Sequence, residues 1–135
     1  MRVLILHFLD TRNAKNITIL RNLQAASENN GHQVTLMNAK DVGNLQFPMY
    51  EYVCIVTKSA KLFGAKLPSQ MGEILNKHGT LSGKKGCSLV VKGGFSSDKM
   101  NTLVMKAMEK EGIFIDYSQV IESPEHAKSI GKKIG

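Results

Sequence analysis

The first seventeen residues constrain the fold of this chain more than any other stretch. Residues 2–8 read RVLILHF, an almost entirely apolar run with no polar alternation. Strands buried on both faces have this composition, and they belong to parallel sheets covered by helices. A polar stretch follows from Leu9 to Asn16, and a helical pattern begins at Ile17. A strand, a loop and a helix in this order predict the opening of a doubly wound α/β sheet.

Apolar runs and helical patterns alternate in the rest of the chain. Further strands are predicted at residues 34–38, 51–57, 87–92 and within 113–121. Helices are predicted at about 13–30, 68–79, 98–112 and from 123 onward. The connection 39–50 contains a glycine and a proline, so we expect a helical turn and a loop there, with Phe47 and Met49 packed onto the sheet. Residues 1–135 should form one α/β domain, a three-layer sandwich around a five-stranded parallel sheet.

Residues with known capping preferences mark the predicted helix starts. Pro68 suits the first turn of one helix, where its missing N–H costs nothing. Asp98 is a good N-cap for the next helix, and Ser123 followed by Pro124 predicts the start of the last one. Gly31, Gly79 and Gly112 are predicted to end helices, because glycine tolerates the left-handed conformation there.

Charge and composition favour anionic partners but do not indicate a nucleic-acid interface. The chain has 18 Lys and Arg against 11 Asp and Glu, which gives a net charge of +7. Such a charge attracts phosphate ligands, acidic proteins or nucleic acid at long range. The basic residues are scattered, however, and none of the basic pairs is interleaved with aromatic side chains. We therefore expect a soluble Lys-rich surface without nucleic-acid binding.

The cysteines and the apolar runs indicate a cytoplasmic protein. Cys54 and Cys87 each lie in an apolar run, so they are expected to be buried free thiols, and no metal-binding spacing accompanies them. The apolar run at the N-terminus is short and is broken by His7 and Asp10, unlike a signal peptide. No run is long enough to span a membrane, so no membrane association is expected.

Several ligand motifs that this class of fold often carries are absent. The first strand is not followed by G-x-G-x-x-G, and the chain contains neither G-x-x-x-x-G-K-[ST] nor G-x-S-x-G. These absences argue against a dinucleotide fingerprint, a Walker-type phosphate loop and a serine hydrolase elbow. The third strand ends in Thr57, where a phosphate-accepting receiver domain would need an acidic residue.

Three stretches resemble the flavodoxin family. In that family the first loop usually reads T-G-N-T and wraps the phosphate of FMN, and residues 11–14 here read TRNA. Residues 59–64 and 67–71 read SAKLFG and LPSQM, similar to the family's loop after the third strand and the helix that follows it. Residues 81–86 read LSGKKG, and the GGF at 93–95 is similar to the second loop that flanks the flavin.

The resemblance implies a flavodoxin-like fold with strand order 2-1-3-4-5 and an FMN-binding electron-transfer protein. The phosphate would be held by the first loop and the start of the first helix, namely by Thr11, Arg12, Asn13 and Lys15. The flavin ring would lie between the two later loops, where its contacts would come from Ser59, Phe63, Gly64, Gly93, Gly94 and Phe95. In this register Arg12 replaces the family's glycine and Ala14 replaces its second threonine.

No residue of the chain is predicted to act as an acid or a base. His7 ends the first strand near the crevice, where a structural histidine is expected. The absence of such a group suits an electron carrier better than a catalyst, and an enzyme of this type would be an oxidoreductase. Because the chain is basic, its redox partner should present an acidic surface.

Two alternative functions remain open at this point. The altered first loop favours a flavodoxin-fold binding module that has lost FMN, in which Arg12 and Lys15 hold another anion or a protein partner. A small NAD(P)H-dependent flavin reductase is the second alternative, and it would show turnover driven by a reduced nicotinamide.

Overall fold

The computed structural model describes residues 1–59 and 65–135, and these residues form an α/β sandwich. The strands are β1 Arg2–His7, β2 Gln33–Asn38, β3 Tyr52–Lys58, β4 Lys85–Val91 and β5 Phe114–Ile121. The helices are α1 Ala14–Asn29, α2 Met71–Lys77, α3 Ser97–Lys110 and α4 Pro124–Gly131. The strands form one parallel sheet in the order β2-β1-β3-β4-β5, which confirms the predicted fold class and strand order.

The sheet separates two hydrophobic cores, as a three-layer sandwich requires. Val3 and Ile5 of β1 pack on one side with the apolar stripes of α1 and α4. Leu4 and Leu6 pack on the other side with α2 and α3. All four side chains are 0% exposed, which explains why β1 reads as an unbroken apolar run.

Local capping explains where the first and last helices begin. The Asn13 side chain accepts a hydrogen bond from the N–H of Asn16 at 3.1 Å, so Asn13 is the N-cap of α1. Ser123 caps α4 in the same way, through the N–H of His126 at 3.0 Å. Gly31 follows α1 with a φ of +90°, which confirms its predicted role.

Two predicted helix starts are wrong. α2 begins at Met71, three residues after Pro68, because the Pro68 carbonyl first accepts the Met71 N–H in a turn at 3.1 Å. α3 begins at Ser97, so Asp98 lies in its first turn instead of capping it. Ser96 precedes the helix and makes no side-chain capping bond.

The connection between β2 and β3 contains two short 3-10 turns, Ala39–Asp41 and Phe47–Met49. Phe47 is fully buried, and its ring lies edge-on to that of His78 with 6.3 Å between the centroids. Met49 is 50% exposed, so the prediction that it packs onto the sheet is wrong. The tight turn directs these two side chains to different sides, and only Phe47 reaches the core.

The two cysteines are buried free thiols, as predicted. They are paired residues in the β3–β4 register, so they lie side by side in the middle of the sheet. Burial raises the pKa of the Cys54 thiol well above its ordinary value. The Cys54 thiol is therefore not suited to act as a nucleophile. None of the helices in the two described ranges is long and apolar enough to cross a membrane.

His7 is the polar exception at the carboxyl end of β1. Its side chain is 3% exposed, and its Nδ1 accepts the N–H of Leu9 at 3.2 Å. That bond requires a deprotonated Nδ1, which places the proton of the neutral ring on Nε2. Burial lowers the pKa of His7 from its ordinary value of 6.5, so the neutral ring is the stable form in the folded protein.

We expect Gly86→Ala to destabilise the protein and Gly72→Ala to leave it intact or slightly more stable. A Cβ at Gly86 would overlap the Val53 carbonyl oxygen of the neighbouring strand, whereas a Cβ at Gly72 meets nothing within 4 Å. Overpacking of this kind costs roughly 1–3 kcal/mol. Gly72 lies in the first turn of α2, where alanine gains at most about 1 kcal/mol over glycine. Urea unfolding of both variants checks the opposite signs, and an equal effect would contradict the close approach of β3 and β4.

His7 should make stability depend on pH below neutrality. Its pKa is lower in the folded chain than in the unfolded chain, so the unfolded chain binds the proton first as the pH falls. The free energy of unfolding should therefore decrease below a pH of about 6.5 and be independent of this group above it. Urea unfolding between pH 7.5 and 5 should show a smaller decrease for His7→Asn than for the wild type. His32→Asn, which removes a half-buried histidine at the other end of the sheet, controls for loss of an imidazole.

Candidate functional site

The carboxyl ends of β1, β3 and β4 meet at one edge of the sheet, where a cleft of about 460 Å³ opens between their loops. We call it the carboxyl-edge cleft. Its wall includes Asp10, Asn13 and Asn16 from the first loop and helix, Ser59 after β3, and Gly93 and Gly94 after β4. After β1 the chain forms β2 on one side of that strand, and it then crosses to form β3 on the other side. Ligands of open α/β sheets bind at such a switch point.

The Asp10 carbonyl holds the first loop in place. It accepts the N–H of Asn13 at 3.3 Å and the side-chain Nδ2 of Asn16 at 3.0 Å. Asn13 in turn accepts the Asn16 N–H, so the loop and the first turn of α1 form one bonded unit. The cleft wall on this side is therefore a defined surface before any ligand arrives.

The Asp10 carboxylate forms an ion pair with Arg12 in this loop. It accepts the Arg12 N–H at 2.9 Å, the Arg12 Nε at 3.1 Å and the Arg12 Nη2 at 3.0 Å. These bonds with Arg12 lower the pKa of Asp10 to about 2, so the carboxylate is ionised at neutral pH. The Arg12 side chain is 91% exposed and is turned toward Asp10. The pair adds little to stability because solvent screens it.

Several backbone donors remain at the start of α1. The N–H groups of Thr11, Ala14 and Lys15 have no acceptor within residues 1–59 and 65–135. Unsatisfied N–H groups at a helix start favour an anion or a polar oxygen. Thr11 and Lys15 are exposed, so their side chains can reach a group bound at this end of the cleft.

Buried acceptors without partners cluster at the same edge. Asn16 Oδ1, Thr57 Oγ1 and Ser59 Oγ are shielded from solvent and have no hydrogen-bond partner among the described residues. The three side chains are 2%, 0% and 4% exposed. A buried polar atom without a partner costs roughly 1–3 kcal/mol, so such atoms are usually bonded to a ligand or water. Asn16 and Ser59 line the carboxyl-edge cleft, which points to a ligand there.

The loops after β3 and β4 touch through their backbones. A Cβ at Gly93 would lie 2.7 Å from the Ser59 carbonyl oxygen, so the loops approach closely only because residue 93 is glycine. Gly94 adopts a φ of +64°, which also favours glycine. The next residue, Phe95, is 90% exposed, an unusual position for a large apolar ring.

The structure brings most of the predicted site residues to one edge. Asn13, Ser59, Gly93 and Gly94 line the cleft, while Thr11, Arg12, Lys15 and Phe95 lie on the elements around it. Phe63 and Gly64 lie outside the described residues.

The sequence analysis missed Asp10, Asn16 and Lys58, which also line the cleft. Asn16 carried a signal in the sequence, because asparagine is a poor helix former and this one lies in the first turn of a helix. The acidic residue in a loop assigned to phosphate was a second signal. Lys58, at the last position of β3, carried none.

Solved structures with the same architecture include flavodoxins. Oxidised flavodoxin 1 from Bacillus cereus matches with a TM-score of 0.75 at 8% identity, over 97% of this chain and 95% of that chain. The two-electron reduced flavodoxin of Megasphaera elsdenii gives 0.73 at 17% identity, over 96% of both chains. A Fusobacterium nucleatum flavodoxin bound to flavin mononucleotide gives 0.64 at 13% identity, over 99% of both chains.

Sequence comparison adds no relative to this picture, since no protein-family profile and no curated protein matches the chain. The likeness therefore lies in the path of the backbone, with the strand order and the carboxyl-edge crevice that this path creates. The chain is an α/β protein of the flavodoxin-like fold.

Proposed function

We propose that this protein binds FMN in the carboxyl-edge cleft and carries electrons to a partner protein. The observation that supports this most is the pair of buried polar atoms Asn16 Oδ1 and Ser59 Oγ, which have no hydrogen-bond partner within residues 1–59 and 65–135 and belong to residues that line this cleft. In this fold that cleft is the switch-point crevice where ligands bind.

The ring end of the cleft fits a flat aromatic ligand. Phe95 exposes 90% of its surface beside the cleft. Stacking against a flavin would remove one face of the phenyl ring and one face of the flavin ring from water. Gly93 and Gly94 keep this wall free of side chains, so a ring can approach the backbone. A polar ring edge can bond to the Ser59 hydroxyl, which has no other partner among the described residues.

The helix end of the cleft offers donors for a phosphate. The free N–H groups of Thr11, Ala14 and Lys15 lie where the α1 dipole favours a negative charge. The Lys15 side chain can add a charge-assisted bond. The ionised Asp10 carboxylate is the group that opposes a phosphate here. The residues as a whole fit FMN, with its ring and ribityl chain better matched than its phosphate.

Electron transfer suits the chemistry of the described residues better than acid–base catalysis. The bound flavin would supply the redox chemistry, and the protein would bind it, orient it and exclude water. His7 is the buried histidine nearest the cleft, but its Nδ1 is occupied by the Leu9 N–H and burial lowers its pKa. The net charge of +7 favours an acidic partner surface, which would accelerate encounter at low salt.

The Asp10–Arg12 pair specifically favours a second candidate function. If the carboxylate keeps the FMN phosphate out altogether, the fold serves as a binding module without FMN, in which Arg12 and Lys15 hold another anion or a protein partner. The two functions differ in a flavin titration, since only the first predicts saturable quenching.

We expect apoprotein to quench FMN fluorescence in a one-to-one titration and Phe95→Ala to weaken binding by about tenfold or more, since a stacked aromatic contributes roughly 0.5–1.5 kcal/mol beyond its burial. Phe114→Ala is the matched control, because Phe114 is 67% exposed at the opposite end of the sheet. It should leave the FMN affinity unchanged.

Absence of saturable quenching at tens of micromolar protein would contradict the FMN proposal and favour the binding module. Equal losses in the Phe95 and Phe114 variants would mean that the flavin binds elsewhere.

For a protein that binds FMN, reduction by an acidic redox protein should slow as salt is raised, because screening weakens the attraction.

A further inference from the structure

The first loop carries its own anion in the region where a ligand phosphate would bind. The Asp10 carboxylate accepts hydrogen bonds from the Arg12 backbone N–H and from the guanidinium Nε and Nη2 of the same residue. The guanidinium groups are the strongest donors of the loop because they are charged. An external phosphate would have to displace this carboxylate or do without the donors it occupies. It would also bind beside a negative charge.

A second, independent observation concerns Asn16, which lines the same end of the cleft. Asn16 is 2% exposed, and its orientation is set by the Nδ2 bond to the Asp10 carbonyl. Asn16 lines the cleft, and its Oδ1 has no hydrogen-bond partner among the residues that the structure describes. A phosphate dianion offers only acceptors and cannot satisfy Oδ1, whereas a hydroxyl group can donate to it.

We propose that Asp10 is the residue that sets ligand selectivity in this cleft, where its carboxylate and Asn16 Oδ1 accept a hydroxyl-bearing end of the ligand and oppose a phosphate dianion. The inference deepens the proposed flavin binding and rests on it for the identity of the ring. The ligand class it names is a flavin whose ribityl chain ends in a hydroxyl, and FMN binds through the same ring and ribityl contacts with little gain from its phosphate.

The direct test compares riboflavin and FMN by fluorescence titration of the wild type and Asp10→Asn. The asparagine can still accept the Arg12 N–H, so the loop keeps its bond while the charge is lost. The wild type should bind the two flavins within about threefold of each other. Asp10→Asn should bind FMN about tenfold tighter, a change of roughly 1.4 kcal/mol. Its riboflavin affinity should stay within about twofold.

Asp98→Asn is the matched control for net charge. Asp98 is exposed in the first turn of α3, near the same edge of the sheet but outside the first loop. This variant should leave both affinities unchanged. An equal gain in the Asp98 variant would overturn the assignment to Asp10. The assignment would also be overturned if the wild type bound FMN more than tenfold tighter than riboflavin.

A titration with inorganic phosphate separates this inference from the flavin proposal. The probe is the set of amide signals of Thr11, Arg12, Ala14 and Lys15 in two-dimensional NMR spectra. Asp10→Asn should show saturable shifts of these signals with phosphate, and the wild type should show none at the same concentration. If neither protein binds a flavin but this difference is seen, the flavin proposal fails and the role of Asp10 stands. If Asp10→Asn shows no shifts, the role of Asp10 is wrong.

Discussion

The burial of β1 on both faces is the constraint on which the rest of the structure depends. Its odd-numbered side chains pack under α1 and α4, and its even-numbered ones pack under α2 and α3. One strand therefore contributes to both cores, and its hydrogen bonds set the register of its two neighbours, β2 and β3. The loop that leaves its carboxyl end is held at the switch point, where polar groups gather because no further layer covers them.

The hydrogen-bonding groups in the cleft wall do not all find partners in one another. Asp10 uses its carbonyl to hold Asn13 and Asn16 and its carboxylate to hold Arg12, so the loop is nearly closed on itself. Asn16 Oδ1 and Ser59 Oγ have no hydrogen-bond partner in the part of the chain that the structure describes. This end of the cleft therefore offers a ligand two kinds of group: acceptors on Asp10 and Asn16, and the backbone N–H groups of Thr11, Ala14 and Lys15, which have no acceptor among the described residues.

Patterns that depend on neighbouring residues could be predicted from the sequence. The strands and the regions where α1 and α4 begin followed from apolar periodicity and capping residues. The strand order, and the placement of Asn13, Gly93 and Gly94 at one edge, followed from the family resemblance. Met49 and the starts of α2 and α3 could not be predicted, because a tight turn and a carbonyl–amide bond decided them. The Asp10–Arg12 pairing depends on side-chain geometry in three dimensions, and the unpartnered Asn16 Oδ1 depends on what surrounds it.

The contact between Ser59 and Gly93 has a consequence for the cost of ligand binding. The Ser59 carbonyl meets the Gly93 α-carbon with no room for a side chain, directly after the paired ends of β3 and β4, so the spacing of these two residues follows from the strand register. The position of this part of the wall is therefore set by the sheet and does not depend on a ligand. Less conformational entropy is then lost when a ligand enters, and the ligand's affinity reflects its own contacts more than the ordering of the chain.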